Sequence, residues 1–389
     1  MYSLGGWNLP EESHGLDEVT QRRAKRYFYG NLTVSFCKSA LILALTLLVL
    51  GLRLSVDFQN FAQKYVSEPS FVLACCVLIG FVAFWLVSLP FDYYEGYVWE
   101  HKFELSAENL SVWFRDNVMA AILYLLIVFA FAEGAYNFMW LNATYWWFFM
   151  WLVSVVFIVF FTYVAPVWIM PLFYKFPRLK DEELLSRLTG LADKAGVKIM
   201  GVFEMKSGAK TRKANAGLTG IGNTRRMLLS DTFLSNFSTD EIETAMGHEM
   251  GHHIHGDIWK LTGLISGYFL LMLFLANQIM HAGTSFFGFR SFDSSASLPF
   301  LALTLGLLLA VYIPLMNTLS RRWEDRCDQY ALDLVEKPNA FISLMIKLCN
   351  QNLGYAYPNC IVESVFYNHP SVKRRIEHAL AYQKTHPQK

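Results

Sequence analysis

Apolar residues are gathered into six runs, at about 33–53, 71–90, 117–137, 144–165, 262–282 and 298–316. Each is close to the twenty residues that carry a helix across a bilayer. The pattern changes between the fourth and fifth runs. Leu184, Leu185, Leu188, Leu191 and Ala192 recur at helical spacing over 181–195, which predicts an amphipathic helix with Gly196 as its C-cap. Residues 197–204 alternate as a strand does. Residues 214–220 and 226–230 predict a pair of strands around Gly222-Asn223. Ser238-Thr239-Asp240-Glu241 predicts a capping box, with Phe237 as its hydrophobic staple. The helix it opens runs past His252 and, after Gly256, leads into the fifth run. After the sixth run, helical character continues to Lys337-Pro338.

Basic residues orient the runs. With the N-terminus inside, 91–116, 166–261 and 317–389 are inner loops, and the last two hold most of the Lys and Arg. Of the outer loops, 54–70 has only Lys64, 138–143 has none and 283–297 has only Arg290. Arg22, Arg23, Lys25 and Arg26 precede the first run. The expected organisation is therefore a cytoplasmic segment 1–32, four membrane helices over 33–165, a cytoplasmic domain over 166–261, two membrane helices over 262–316, and a cytoplasmic part over 317–389. No cleavable signal peptide is expected.

Composition agrees with a chain that lives in lipid: 54% of residues are hydrophobic and 17% charged, against about a quarter charged in soluble domains. A net charge of +1 gives no ground for a nucleic-acid partner. Six scattered cysteines without a C-x-x-C pair read as buried, reduced thiols.

The candidate chemistry lies in Gly247-His248-Glu249-Met250-Gly251-His252, an H-E-x-x-H pattern. Residues four apart share a helix face, so His248 and His252 can offer both imidazoles to one metal. Glu249 lies beside them as a general base rather than a ligand. A catalytic zinc site needs a third protein ligand. The best candidate is Glu324, on the helix after the sixth run; an ordinary ion pair with Arg321 or Arg322 is the competing reading. Asp328 follows at i+4, on the same face, where it can fix the tautomer of a ligating histidine. His369 and Arg375 are candidate donors to a developing oxyanion. Residues 214–220 read either as an edge strand that pairs with an extended substrate or as a plain hairpin. His253 and His255 point off the ligand face and read as bystanders; His101 and His281 are unassigned.

Taken together, the chain resembles the integral-membrane zinc proteases that include the type I CAAX prenyl endopeptidase. The likeness rests on Pro90 to Tyr94, Glu100 to Phe103, Ala165 to Phe173, Asn215-Ala216, the H-E-x-x-H, Ser320 to Glu324 with Asp328, and His369-Pro370 with Arg375. The resemblance implies one zinc per chain on His248, His252 and Glu324, with Glu249 as base. It implies Asn215 and Ala216 on the substrate-binding strand, and His369 and Arg375 facing the active site. The implied fold is mainly α: a barrel-like bundle of membrane helices, six here against seven in eukaryotic members, with a cytoplasmic α+β zinc peptidase domain of the Glu-ligand (gluzincin) type. The implied substrates are peptides or proteins, C-terminally prenylated in the eukaryotic enzymes, in the bacterial inner membrane or the endoplasmic reticulum according to source. Two alternatives are a quality-control protease with no prenyl requirement and a non-catalytic scaffold with a metal site. The presence of Glu249 argues against the scaffold, since binding a metal does not require it.

Overall fold

The computed structural model describes residues 15–386 apart from Ile221; the first fourteen residues of the expected 1–32 segment lie outside the described residues. Helix α1 (Glu18–Gly51) is followed by the short α2 (Leu54–Ala62) and by α3 (Pro69–Tyr93), which passes through a π-helical turn (Tyr94–Trp99) into α4 (Glu100–Lys102). Next come α5 (Leu110–Leu141), α6 (Trp146–Val164) and α7 (Met170–Phe173). The middle of the chain forms α8 (Glu182–Lys194), β1 (Gly201–Met205), β2 (Ala216–Thr219), β3 (Arg226–Ser230), α9 (Asp231–Asn236) and α10 (Thr239–Ile254). It ends with α11 (Asp257–Phe287), α12 (Leu298–Val335), α13 (Pro338–Gln351), α14 (Cys360–Phe366) and α15 (Val372–Thr385).

All six apolar runs are helices. Five are long and apolar enough to span a membrane unbroken, and the sixth, α6, bends by 46° into the segment 165–173. Pro166 stands at that bend within a π-helical turn; a ring without an N–H cannot continue the α-helical ladder. The helices outrun their apolar runs because helical hydrogen bonding continues into water wherever a cap permits. Helix α1 begins at Glu18, where the Asp17 side chain accepts from the Thr20 N–H, so no break separates residue 32 from residue 33. Helix α12 has 38 residues, about 57 Å at 1.5 Å per residue, nearly twice the hydrocarbon thickness. Its first half carries the sixth apolar run and its second half carries the charged residues from Arg321 to Asp333.

The spans touch in the order α1–α3–α5–α6–α11–α12 and back to α1, which closes a ring. One apolar cluster joins several of these spans, with Leu73, Tyr136, Trp146, Leu273 and Leu301 among its members. A second cluster binds the sheet to α8, α10, α12, α13 and α15: Leu188, Met227, Met246, Met250, Leu332, Phe341 and Ile376 are all members. Helix α12 contributes to both.

The sheet has the order β1-β3-β2, with β1 parallel and β2 antiparallel to β3. The strand expected over 197–204 begins instead at Gly201 and runs to Met205, the five residues that pair with β3, while residues 175–179 bridge its other side. β2 is an edge strand. The capping box at Ser238 and Glu241 is present. Arg187 on α8 reaches Asp240 and Glu243 on α10 at 2.7 Å, and Lys337 reaches the same two carboxylates at 2.7 and 2.9 Å. The N-terminal half of α10 is thus tied to α8 and to the end of α12. Of the six thiols, all unpaired, Cys327 and Cys349 are buried, whereas Cys37 and Cys360 are exposed, contrary to the expectation of general burial. On a helix read as membrane-spanning, Cys37 can meet lipid in place of a protein core.

Helices α10 and α12 meet almost backbone to backbone. A Cβ on Gly251 would lie 3.1 Å from Cys327 Cα, and one on Gly247 would lie 3.0 Å from Val335 Cγ2. Gly251→Val is therefore expected to cost about 1–3 kcal/mol through overpacking and to loosen the metal centre described below. Thermal unfolding and metal content of the purified protein measure both. A variant with parental values for each would show that the close approach is dispensable.

Candidate metal centre and active site

Three donor groups converge where α10 crosses α12. His248 Nε2 lies 3.1 Å from Glu324 Oε2, and His252 Nε2 lies 3.2 Å from Glu324 Oε1. Donor atoms of the three residues all fall within 4.8 Å of one another and could hold a metal ion. Ligands at about 2.0–2.1 Å from one zinc ion stand roughly 3.3 Å apart in a tetrahedral shell, close to the spacings seen here. Glu324 is buried, and when the His248 proton sits on Nδ1 no donor reaches its Oε2. A buried carboxylate oxygen left without a donor is costly, and a cation between it and the imidazoles would remove that cost. The donor set fits a metal.

The outer nitrogen of each imidazole is already occupied. His248 Nδ1 lies 2.8 Å from Asp328 Oδ1, and His252 Nδ1 lies 3.1 Å from Asp257 Oδ2. With Nδ1–H donated to a carboxylate, Nε2 keeps its lone pair for a metal. Asp257 was not singled out from sequence. It opens α11 just beyond the left-handed Gly256, and its signal was an acidic residue five places after His252, across a helix break. It also meets Lys260 at 3.1 Å and the Cys327 thiol at 3.6 Å.

Burial works against a charged imidazole at His248, but the bonds to Asp328 and Glu324 outweigh it and push the ring up to about 9. At His252 burial is likewise overcome, by Glu324 first and then by Glu249 and Asp257, and the ring again rises to about 9. In the metal-free protein these rings hold protons that a metal must displace.

Arg375 differs from its expected place among the oxyanion donors. Its Nε and Nη2 both bond Asp328, at 2.8 and 2.5 Å, and Nη2 lies 3.4 Å from His248 Nδ1. The guanidinium backs the carboxylate that backs His248. His369 does reach the centre: its Nε2 lies 3.2 Å from Glu324 Oε1, with the side chain half exposed. Arg321, the competing ion-pair partner for Glu324, instead bonds the backbone carbonyls of Glu363, Ser364 and Tyr367.

Glu249 stands outside the three-donor group. The Leu218 N–H of β2 donates to its Oε2 at 3.4 Å, so the edge strand passes beside the candidate base. At the strand's start the Ser230 N–H donates to the Asn215 carbonyl, and the Asn215 N–H donates to Ser230 Oγ. By the alternation of an antiparallel ladder, Ala216 and Leu218 then turn their backbone groups outward, away from β3. Asn352 fixes the approach: its Oδ1 accepts from the Ala214 N–H at 2.8 Å and its Nδ2 donates to the Ala214 carbonyl at 2.9 Å.

Paired imidazoles and a buried carboxylate, with a second carboxylate against an open strand edge, over a ring of membrane helices, define a polytopic membrane metallopeptidase. The comparisons with known proteins agree: the family model for peptidase family M48 matches residues 178–383, and one described as CAAX prenyl protease N-terminal, five membrane helices, matches residues 8–175. The chain belongs to peptidase family M48. It is similar to the uncharacterized metalloprotease YhfN of Bacillus subtilis (strain 168), 33% identical over 304 residues, or 76% of this chain and 70% of that protein. It is 30% identical over 317 residues to CAAX prenyl protease 1 of Saccharomyces cerevisiae, covering 75% of this chain and 68% of the other. The fold matches the crystal structure of S. mikatae Ste24p with a TM-score of 0.85 at 24% identity, over 95% of this chain and 91% of that one. The chain is accordingly a membrane metalloendopeptidase resembling the CAAX prenyl endopeptidases.

Proposed function

We propose that this protein hydrolyses peptide bonds near the C-terminus of prenylated proteins, with one zinc held by His248 Nε2, His252 Nε2 and Glu324. The observation that carries the reading is the convergence of those three donors beside Glu249 and the outward edge of β2. Bound there, the metal would act as a Lewis acid on the scissile carbonyl and lower the pKa of water towards about 7. Glu249 accepts the proton of the attacking water on its carboxylate and passes it to the leaving amine. The substrate backbone pairs in extended form with Ala216 and Leu218, with the Asn215 side chain beside it. His369 Nε2 donates to the oxyanion. Arg375 and Asp328 hold His248, and Asp257 holds His252, in the ligating tautomer. No residue forms a covalent intermediate. The bias of Lys and Arg towards 166–261 and 317–389 favours a cytoplasmic active site and cytoplasmic termini.

Prenylation as a requirement rests on likeness to proteins named CAAX prenyl protease 1. Purified protein given a farnesylated C-a-a-X peptide, the same peptide without its prenyl group, and an unfolded membrane protein tests it. Release of the terminal tripeptide from the farnesylated peptide, at least tenfold faster than from the bare one, is expected. Degradation of the unfolded protein with the farnesylated peptide left intact would assign the enzyme to quality control instead.

A further inference from the structure

Asn317, Arg321, Glu324 and Asp328 follow one another on α12 at intervals of four, three and four residues, which sets them along one face. The lower two serve the metal centre. The upper two hold a different element. Arg321, only 8% exposed, donates from Nη1 to the carbonyls of Glu363 at 2.9 Å, Ser364 at 3.2 Å and Tyr367 at 2.6 Å. Asn317 Nδ2 donates to the Val365 carbonyl at 2.7 Å. These are the last carbonyls of α14 and its C-cap, where a cation is favoured; the Glu363 carbonyl also accepts the Tyr367 N–H at 3.2 Å, while the carbonyls after it are ones a helix leaves without partners. From the same turn the Glu363 side chain accepts the Ser371 N–H at 2.9 Å, which ties α14 to the start of α15. His369 lies in the short turn between these two anchors, its Nε2 3.2 Å from Glu324 Oε1.

We propose that Arg321, assisted by Asn317, is a positioning residue: by capping α14 it fixes the His369–Pro370 turn over the metal centre, so one stripe of α12 sets both a ligand and the group opposite it. Arg321 gives Nη1 to main-chain oxygens and Nη2 to Thr318 Oγ1 at 3.0 Å, and its role in the reaction passes through His369. The inference rests on the reading that His369 acts on the oxyanion.

Kinetics of four variants test it: Arg321→Ala, Arg321→Lys, Asn317→Ala and His369→Ala, with each of the first three also combined with His369→Ala. Misplacement of a catalytic group by about 1 Å costs on the order of 10²-fold. Arg321→Ala is therefore expected to lower kcat by about that factor, with KM and metal content near parental values. Arg321→Lys, which keeps the cation and loses the fork, should recover part of the rate, and Asn317→Ala should lose less than Arg321→Ala. On the His369→Ala background each of the three should cost less than about threefold more, since residues acting as a unit are not additive. The same loss on both backgrounds, or metal content falling in step with activity, would overturn the proposal. Should Arg321→Ala fail to fold, Arg321→Lys and Asn317→Ala decide by the same comparison. A His369→Ala variant with parental kcat would instead remove the His369 reading on which the proposal stands.

Discussion

Glu249→Gln is expected to abolish measurable peptide hydrolysis while metal content stays at one equivalent per chain. The substitution keeps the side chain's length and an oxygen that can still accept from the Leu218 N–H, a contact of 3.4 Å. The edge of β2 therefore has no reason to move. The three donor atoms belong to His248, His252 and Glu324, so the metal loses no ligand. What disappears is a site for a proton. General-base catalysis contributes about 10²–10⁴-fold, and here the same carboxylate would serve both the attack and the departure of the amine, so the upper end of that range is expected in kcat with little change in KM. Metal analysis and single-turnover hydrolysis of the same preparation measure the two halves. A fully active variant would remove Glu249 from the chemistry; an inactive one stripped of metal would make it a ligand.

The position of Glu249 beside the donor group but outside it was legible from sequence, since i, i+1 and i+4 on one helix follow from its geometry alone. So were the capping box at Ser238, the six apolar helices and the two strands that flank Gly222. Each depends on neighbours within a few residues. The closed ring of spans was expected only through the family resemblance, because hydropathy marks which helices enter lipid but not which flanks touch. Asp257 escaped for a related reason: it reaches His252 only because the left-handed Gly256 (φ 67°) turns the chain between two helices. Arg375 shows the opposite case. Its nearness to the site was expected, but whether a guanidinium faces substrate or a buried carboxylate depends on α15 packing near α12, fifty residues away in sequence. The backbone contacts of Arg321 lay equally out of reach, since the carbonyls it meets carry no sequence signature.

Glu324→Ala should lower metal affinity at least about 10²-fold and activity with it, a larger loss than from replacing Asp257 or Asp328, whose outer positions are usually worth about 10–100-fold. The reason is local. His248 and His252 share one helix and can approach an ion from one side only, whereas Glu324 comes from α12 and closes the other, with both of its oxygens within 3.2 Å of an imidazole Nε2. Its removal also withdraws the acceptor that helps push both rings up to about 9, so the histidines should not misfold around a stranded charge; they should become more nearly ordinary imidazoles. That permits a control free of catalysis. In chelator the variant is expected to unfold below the parent, since it has lost the pairing that raises both rings, but still in one cooperative step, because the apolar cluster around Met246, Met250 and Leu332 is untouched. In added zinc the parent alone should gain stability, as a ligand bound only to the native state requires. Equal stabilisation of both by zinc would mean that another carboxylate completes the shell, and the third ligand would have to be sought elsewhere on α12 or α15.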